Sequence, residues 1–228
     1  MAAGVYGMDD YAVETQVIDL GNIYAKCQPW ADHPTGANWA VGGLTNDGLL
    51  ICGGQSPSEF PSKKCHLITP TKSIATQSLI IGTLSAGATI LANNSLLVTG
   101  GWNRGAINNS QLVNNETAFL LPDLPHPVEE HCMIKVSEDV IMLTGGSSGG
   151  RKTWYFSFVN ERWTEGPEMI DGRSGHTCGS FILNHQQLLV VVGGVLDTYG
   201  STVEFLVTGT ENWFKGVFLQ MLIFNKPF

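Results

Sequence analysis

Four apolar runs, each closed by a pair of glycines, constrain this chain more than any other feature: LLICGG at Leu49 to Gly54, LLVTGG at Leu96 to Gly101, VIMLTGG at Val140 to Gly146 and LLVVVGG at Leu188 to Gly194. The first glycines stand at 53, 100, 145 and 193, so successive runs lie 47, 45 and 48 residues apart. A period of this length marks a repeat architecture with one supersecondary unit per period. The flanks show what each unit holds. A short apolar segment and a turn precede each run, as in WAVGGL-TNDG, GATILA-NNS, CMIKV-SED and CGSFIL-NHQQ. Asn-Asp-Gly and Asn-Asn-Ser supply the left-handed backbone that a tight hairpin needs, so each unit opens with two antiparallel strands, A and B.

A third strand, C, follows the glycine pair after a loop of variable length and is clearest at Thr153 to Val159 and Ser201 to Val207. A fourth, D, opens with an aromatic: Trp163, Trp213 and, in the second repeat, Phe119. Trp163 follows Tyr155 by 8 residues, and Trp213 follows Phe205 by 8. That spacing places a large side chain where neighbouring units pack, while the glycines let backbones approach closely. Tyr155, Trp163, Trp213 and the pairs Gly53-Gly54, Gly100-Gly101, Gly145-Gly146 and Gly193-Gly194 are therefore expected to be structural.

Composition agrees with an all-β chain. Of 228 residues 43% are hydrophobic, enough for one sizeable core or two small ones, and only 14% are charged against 27 glycines, which favours strands and turns over surface helices. The net charge is −8, and no basic cluster exceeds the pairs Lys63-Lys64 and Arg151-Lys152. The footprint that holds phosphate backbones is missing, so nucleic acid is not an expected partner. Five cysteines (Cys27, Cys52, Cys65, Cys132, Cys178) are odd in number, spread widely and without CxxC spacing. They read as buried thiols in a reducing compartment rather than as a disulfide framework or a zinc ribbon. The opening MAAGVYGMDDYAVETQ lacks a basic region followed by an apolar core, and no apolar run reaches membrane-spanning length, so a cytoplasmic protein without membrane association is expected. The sequons at Asn93, Asn108 and Asn115 read as turn chemistry and matter only for an extracellular chain.

The string Gly145-Gly146, Tyr155, Trp163, Pro167-Glu168-Met169, Arg173-Ser174-Gly175-His176 resembles a kelch repeat: a double glycine, a spaced tyrosine and tryptophan, then a proline-methionine-arginine corner. The fourth repeat matches through Trp213. The second has Phe119 and LPDLP (Leu121 to Pro125) instead, and the first keeps little beyond its glycine pair. The resemblance covers roughly residues 14 to 216 and implies a kelch-type β-propeller of four-stranded antiparallel blades, with about four and a half present. Blades are expected near 14–36 (strands C and D only), 37–84, 85–127, 128–172 and 173–216. Residues 1–13 form an N-terminal remnant, and 217–228, VFLQMLIFNKPF, form an apolar tail that fits no blade. Kelch propellers usually close with more blades, so the chain is expected to be an incomplete product or to self-associate.

In an up-and-down blade, B-to-C loops and D-to-A corners emerge on one side. The loops carry Trp102-Asn103-Arg104, Arg151 and Asp197-Thr198-Tyr199, and the corners carry His126, Glu129-Glu130-His131 and Arg173 to His176. Arg, Trp and Tyr are frequent interface anchors, so Trp102, Arg104, Arg151, Arg173 and Tyr199 are the expected partner-binding residues, supported by His131 and His176. These two histidines occupy equivalent positions, each followed shortly by a cysteine (Cys132, Cys178). Shared packing in degenerate repeats explains them better than a metal, so no metal or cofactor is expected. No GxxxxGK, GxSxG or HExxH motif occurs, and Gly145 to Gly150 follows a strand without opening a helix, which reads as a loop. The resemblance thus implies a non-enzymatic protein-interaction module, such as a ubiquitin-ligase substrate receptor or an actin-associated scaffold. The competing reading is an enzyme on a kelch scaffold, a sugar oxidase or a sialic acid epimerase. The tyrosine-cysteine pair, second tyrosine and two histidines of a galactose oxidase-type copper centre do not assemble from Tyr155, Tyr199 and these histidines.

Overall fold

The computed structural model describes residues 13–17, 27–148, 150–196 and 202–216, and none of them is helical. Contacts group the chain into two compact units, Met1–Asp123 and Leu124–Phe228.

In the first unit, β1 (Thr15–Val17) pairs antiparallel with β2 (Gln28–Trp30). Sheet I follows as β3 (Val41–Leu44), β4 (Leu49–Cys52), β5 (Cys65–Ile68) and β6 (Ser73–Ala75), hydrogen-bonded in chain order. Sheet II repeats the arrangement with β7 (Gly87–Ile90), β8 (Leu96–Thr99), β9 (Ser110–Val113) and β10 (Ala118–Leu121). In the second unit, sheet III contains β11 (Cys132–Lys135), β12 (Val140–Thr144), β13 (Thr153–Ser157) and β14 (Arg162–Glu165). The chain continues through β15 (Arg173–Ser174), β16 (Thr177–Leu183), β17 (Gln186–Val192), β18 (Val195–Leu196), β19 (Val203–Val207) and β20 (Phe214–Gly216). Strands β16, β17, β19 and β20 form sheet IV, and β15 pairs with β18. Every pairing is antiparallel, and within each four-stranded sheet the strands neighbour one another in chain order. In the four glycine-pair repeats the expected A, B, C and D strands overlap these elements, with β13 and β19 shorter than the expected third strands and Trp213 one residue before β20; residues 18–26 of the expected 14–36 half-blade lie outside the described residues.

Each apolar run becomes the second strand of its sheet, and these strands are buried on both faces: β4 and β8 are buried at every residue. Continuous rather than alternating hydrophobicity is the signature of a strand covered on both sides. The fourth strands are largely exposed, as in β14 and β20. In the first unit the core unites Leu50, Leu67, Leu79, Leu96, Val98 and Val113. In the second it unites Ile134, Met142, Met169, Leu189, Leu206 and Trp213.

The glycine pairs have a common geometry. All eight glycines have positive φ, between 55° at Gly100 and 105° at Gly146. The first of each pair donates its N–H to the carbonyl that precedes the third strand: Gly53 to Lys64, Gly100 to Asn109, Gly145 to Lys152 and Gly193 to Thr202, at 2.8 to 3.2 Å. A Cβ on Gly146 would strike Val128 Cγ2 and lie 2.8 Å from the Glu129 carbonyl oxygen, so both torsion and space require glycine there. Trp213 is buried as expected and donates from Nε1 to the Pro167 carbonyl at 2.9 Å, tying sheet IV to the corner after sheet III. Trp163 is only half-buried and packs on Phe156 of its own sheet, ring centroids 5.0 Å apart.

The expectation of free thiols does not hold for four of the five cysteines. Cys52 and Cys65 stand opposite each other on β4 and β5, and Cys132 on β11 reaches Cys178 on β16; both pairs are disulfide-bonded, with Cα atoms 4.1 and 6.0 Å apart. Cys27 is free and exposed. The lack of CxxC spacing misleads here because the hairpin and the repeat, rather than a local loop, bring the sulfurs together. The expected tail at 217–228 and residues 1–12 of the expected remnant at 1–13 lie outside the described residues.

Candidate interaction site

The loop from β8 to β9 is built to hold Arg104 at its tip. Trp102 bridges Ala106, Asn103 N–H donates to the Gly105 carbonyl at 2.8 Å, and Ile107 N–H donates to the Gly101 carbonyl at 2.9 Å. Trp102 also bridges Leu84, and Asn103 Nδ2 donates to the Gly82 carbonyl at 3.0 Å, which fixes the loop to the corner before sheet II. Arg104 itself is exposed with φ 59°. The loop from β4 to β5 is equally tied: Ser56 bridges Glu59, Ser62 N–H donates to the Gly54 carbonyl at 2.7 Å, and Ser62 Oγ donates to Glu59 Oε2 at 3.0 Å. This loop sets Phe60 against Trp102, with ring centroids 5.3 Å apart. Trp39, before β3, receives Ser85 N–H on its carbonyl at 3.0 Å.

Trp39 and Phe60 are 56% and 54% exposed. Three aromatics and an arginine thus stand at one end of unit 1 on loops held by backbone hydrogen bonds. Loop sequence flagged Trp102 and Arg104 but missed Phe60 and Trp39; aromatics inside turn-rich segments, WAVGG and SEFPS, were the available signal.

In unit 2 the expected residues separate. Arg151 is exposed but engaged: Nε donates to the Met169 carbonyl at 2.7 Å, Met169 N–H returns to the Arg151 carbonyl at 2.9 Å, and the guanidinium lies 3.5 Å from Glu168. Arg173 must be corrected from partner contact to internal strut. Its guanidinium is fully buried and donates to the Gly193 carbonyl at 2.8 Å, the Thr202 carbonyl at 3.2 Å, Thr202 Oγ1 at 3.1 Å and Glu204 Oε1 at 2.6 Å. Glu204, also buried, accepts the N–H groups of Ile170 at 2.6 Å and Asp171 at 3.0 Å.

Unit 1 solves the same problem without charge. Thr83 Oγ1 donates to the Gly100 carbonyl at 2.9 Å, and Gln111 joins the backbone of Ile80 and Ile81 through three hydrogen bonds of 2.9 to 3.2 Å. Both Gln111 and Glu204 stand 11 residues beyond the first glycine of their repeat. The Arg173–Glu204 pair is therefore the charged counterpart of Thr83 and Gln111 in the repeat's stitching.

His131 and His176 are likewise interior groups, only 5% and 8% exposed. His176 Nε2 shares a 2.8 Å hydrogen bond with Thr144 Oγ1. Burial lowers His131 to about 3, helped by the proximity of His176 and His126, and lowers His176 to about 4, helped by Arg173. Both rings are neutral when folded. Tyr199 lies outside the described residues.

Unit 2 also has an open cleft of about 630 Å³ lined by Val136, Tyr155, Glu165, Pro167, Thr208 and Glu211. Burial raises the Tyr155 hydroxyl, and Glu165 accepts from Lys152 Nζ at 3.3 Å. Among the described residues, no group of three or more His, Cys, Asp or Glu gathers as a metal site would require. Compared with models of known protein families and with curated proteins, the chain gives no match.

Proposed function

We propose that each four-stranded sheet is a kelch-type propeller blade and that the chain works, without catalysis, as a protein-interaction module. Its partner binds the end of unit 1 that carries Trp39, Phe60, Trp102 and Arg104. The observation that carries this reading is the pair of exposed aromatics Trp39 and Phe60, the latter against half-buried Trp102, on loops already fixed by hydrogen bonds. Aromatic side chains offer large contact area for few rotors lost, and a rigid loop loses little entropy when a partner docks. The blade reading is supported by the common closing hydrogen bond of the four glycine pairs and by the even period.

The recognised element is a loop or peptide with an apolar anchor for the Phe60–Trp102 pair and a carboxylate for Arg104, whose guanidinium presents a fork suited to bidentate contact. The test is affinity isolation of the intact protein from its native cells, with quantitative mass spectrometry of what accompanies it. A specific partner should be depleted at least tenfold by the pair of changes Phe60→Ala and Arg104→Ala and retained by Ile182→Ala. An unchanged partner set with both variants folded would refute the assignment.

A further inference from the structure

We propose that this chain matures in an oxidising secretory compartment and carries N-linked glycans on Asn93 and Asn115, at the end of unit 1 opposite its exposed aromatics. Two independent observations meet here. The first is the pair of disulfides: Cys52 and Cys65 are 0% and 1% exposed, so their bond is sealed inside the sheet, and Cys132–Cys178 joins the first strands of sheets III and IV. Buried disulfides of this kind form and persist where thiols are oxidised during folding and are rare where glutathione keeps them reduced. In that step each pair of thiols gives up two protons and two electrons to the disulfide of an oxidoreductase, whose own cysteines are reduced.

The second observation is where the sequons sit. Asn93 is exposed in the turn between β7 and β8, with its Oδ1 accepting Ser95 N–H at 3.1 Å in an Asx turn. Asn115 is exposed in the turn between β9 and β10, beside the likewise exposed Thr117. These turns lie together at one end of the sheets. Asn46 N–H in the β3–β4 turn donates to Asn94 Oδ1 at 3.1 Å, and Asn115 Nδ2 donates to Asp47 Oδ2 of that turn at 3.3 Å. The antiparallel order puts the β4–β5 and β8–β9 loops, with Phe60, Trp102 and Arg104, at the other end. The third sequon differs: Asn108 is half-buried at the aromatic end, whereas Asn93 and Asn115 are exposed at the opposite end.

In the transfer, Asn Nδ2 attacks C1 of the first sugar of a lipid-linked oligosaccharide pyrophosphate. The new C–N bond replaces the C1–O bond, the lipid pyrophosphate leaves, and one Nδ2 proton is lost to a base. The sequon hydroxyl required for recognition is supplied by Ser95 and Thr117. Glycans so placed cover the hairpin turns and leave the aromatic end bare.

The test is peptide mass spectrometry of the protein isolated from its native cells into a thiol-alkylating, non-reducing buffer, with and without peptide-N-glycosidase. The Asn93 and Asn115 peptides should appear only after the enzyme, as aspartate, with a linked Cys132–Cys178 peptide and no glycan on Asn108. As a second measurement, Asn93→Gln and Asn115→Gln should each remove one enzyme-sensitive step in electrophoretic mobility. Unmodified Asn93 or Asn115 peptides without the enzyme, or alkylated Cys132 and Cys178, overturn the proposal. These outcomes are read on the chain itself, so they leave the partner assignment to its own test.

Discussion

Replacing Arg173 tests the claim that this residue is a strut rather than a docking contact. In Arg173→Thr four hydrogen bonds disappear, and the Glu204 carboxylate stays buried with only the Ile170 and Asp171 N–H groups to hold its charge. Removing one member of a buried ion pair costs about 3–5 kcal/mol, mostly the penalty of the stranded charge. An exposed arginine replaced in the same way changes stability by about 0.5 kcal/mol or less. The assay is urea unfolding followed by tryptophan fluorescence, comparing Arg173→Thr with Arg162→Thr, an exposed arginine on β14. The repeat supplies a sharper arm. Adding Glu204→Gln to Arg173→Thr reproduces the threonine and glutamine that unit 1 uses at Thr83 and Gln111. The double variant should therefore be more stable than Arg173→Thr alone, by about 1–3 kcal/mol of coupling. If Arg173→Thr costs no more than Arg162→Thr, or if Glu204→Gln lowers stability further in its presence, the strut reading is wrong.

Other consequences follow from the same geometry. His131 and His176 are neutral when folded, at about 3 and 4, whereas the unfolded chain titrates near 6.5. The unfolded state therefore binds more protons below pH 6.5, so stability is full above that value and is lost as pH falls toward 4. Each histidine contributes a slope of about 1.4 kcal/mol per pH unit; melting over this range should show the loss, and the double change His131→Asn and His176→Asn should reduce it without abolishing it, because His33, also lowered to about 4 by burial, keeps its own slope. Replacing Cys132 and Cys178 by serine opens a span of 46 residues and should cost about 4 kcal/mol on the chain-entropy model, against about 3 for the 13-residue span of Cys52 and Cys65, measured by urea unfolding without reductant. Gly146→Ala, at φ 105° and against Val128 and Glu129, should cost about 2–5 kcal/mol, whereas Gly150→Ala, at φ 56° with open space around its Cβ, should cost about 1 kcal/mol in the same assay.

Strand positions were legible because apolar runs, turn asparagines and glycine pairs are local signals, and the fourfold period reinforces each of them. The first repeat shows how far that reaches: with almost no motif beyond Gly53-Gly54, it still forms the same four-stranded sheet. Side-chain fate in the corners was not legible. Arg173 sits in a polar, turn-like string that resembles a surface loop, and its burial depends on Glu204, 31 residues away. His131 and His176 were correctly paired by the repeat as equivalent positions, yet the sequence does not tell an interior ring from a docking one. The disulfides were hidden for a related reason, since cysteines 46 residues apart meet only after adjacent sheets have packed. Phe60 escaped notice because its exposure follows from the fixed loop between β4 and β5.

The proposed role of the aromatic end of unit 1 is to receive a protein partner. The most direct measurement places a photo-crosslinking amino acid at Phe60 and, separately, at Ile182, which is 68% exposed on sheet IV, followed by irradiation in the native cells. One dominant protein adduct is expected from position 60, lost when Arg104 is changed to alanine, and none of that identity from position 182. The same adducts at both positions, or no protein adduct from position 60, would contradict it.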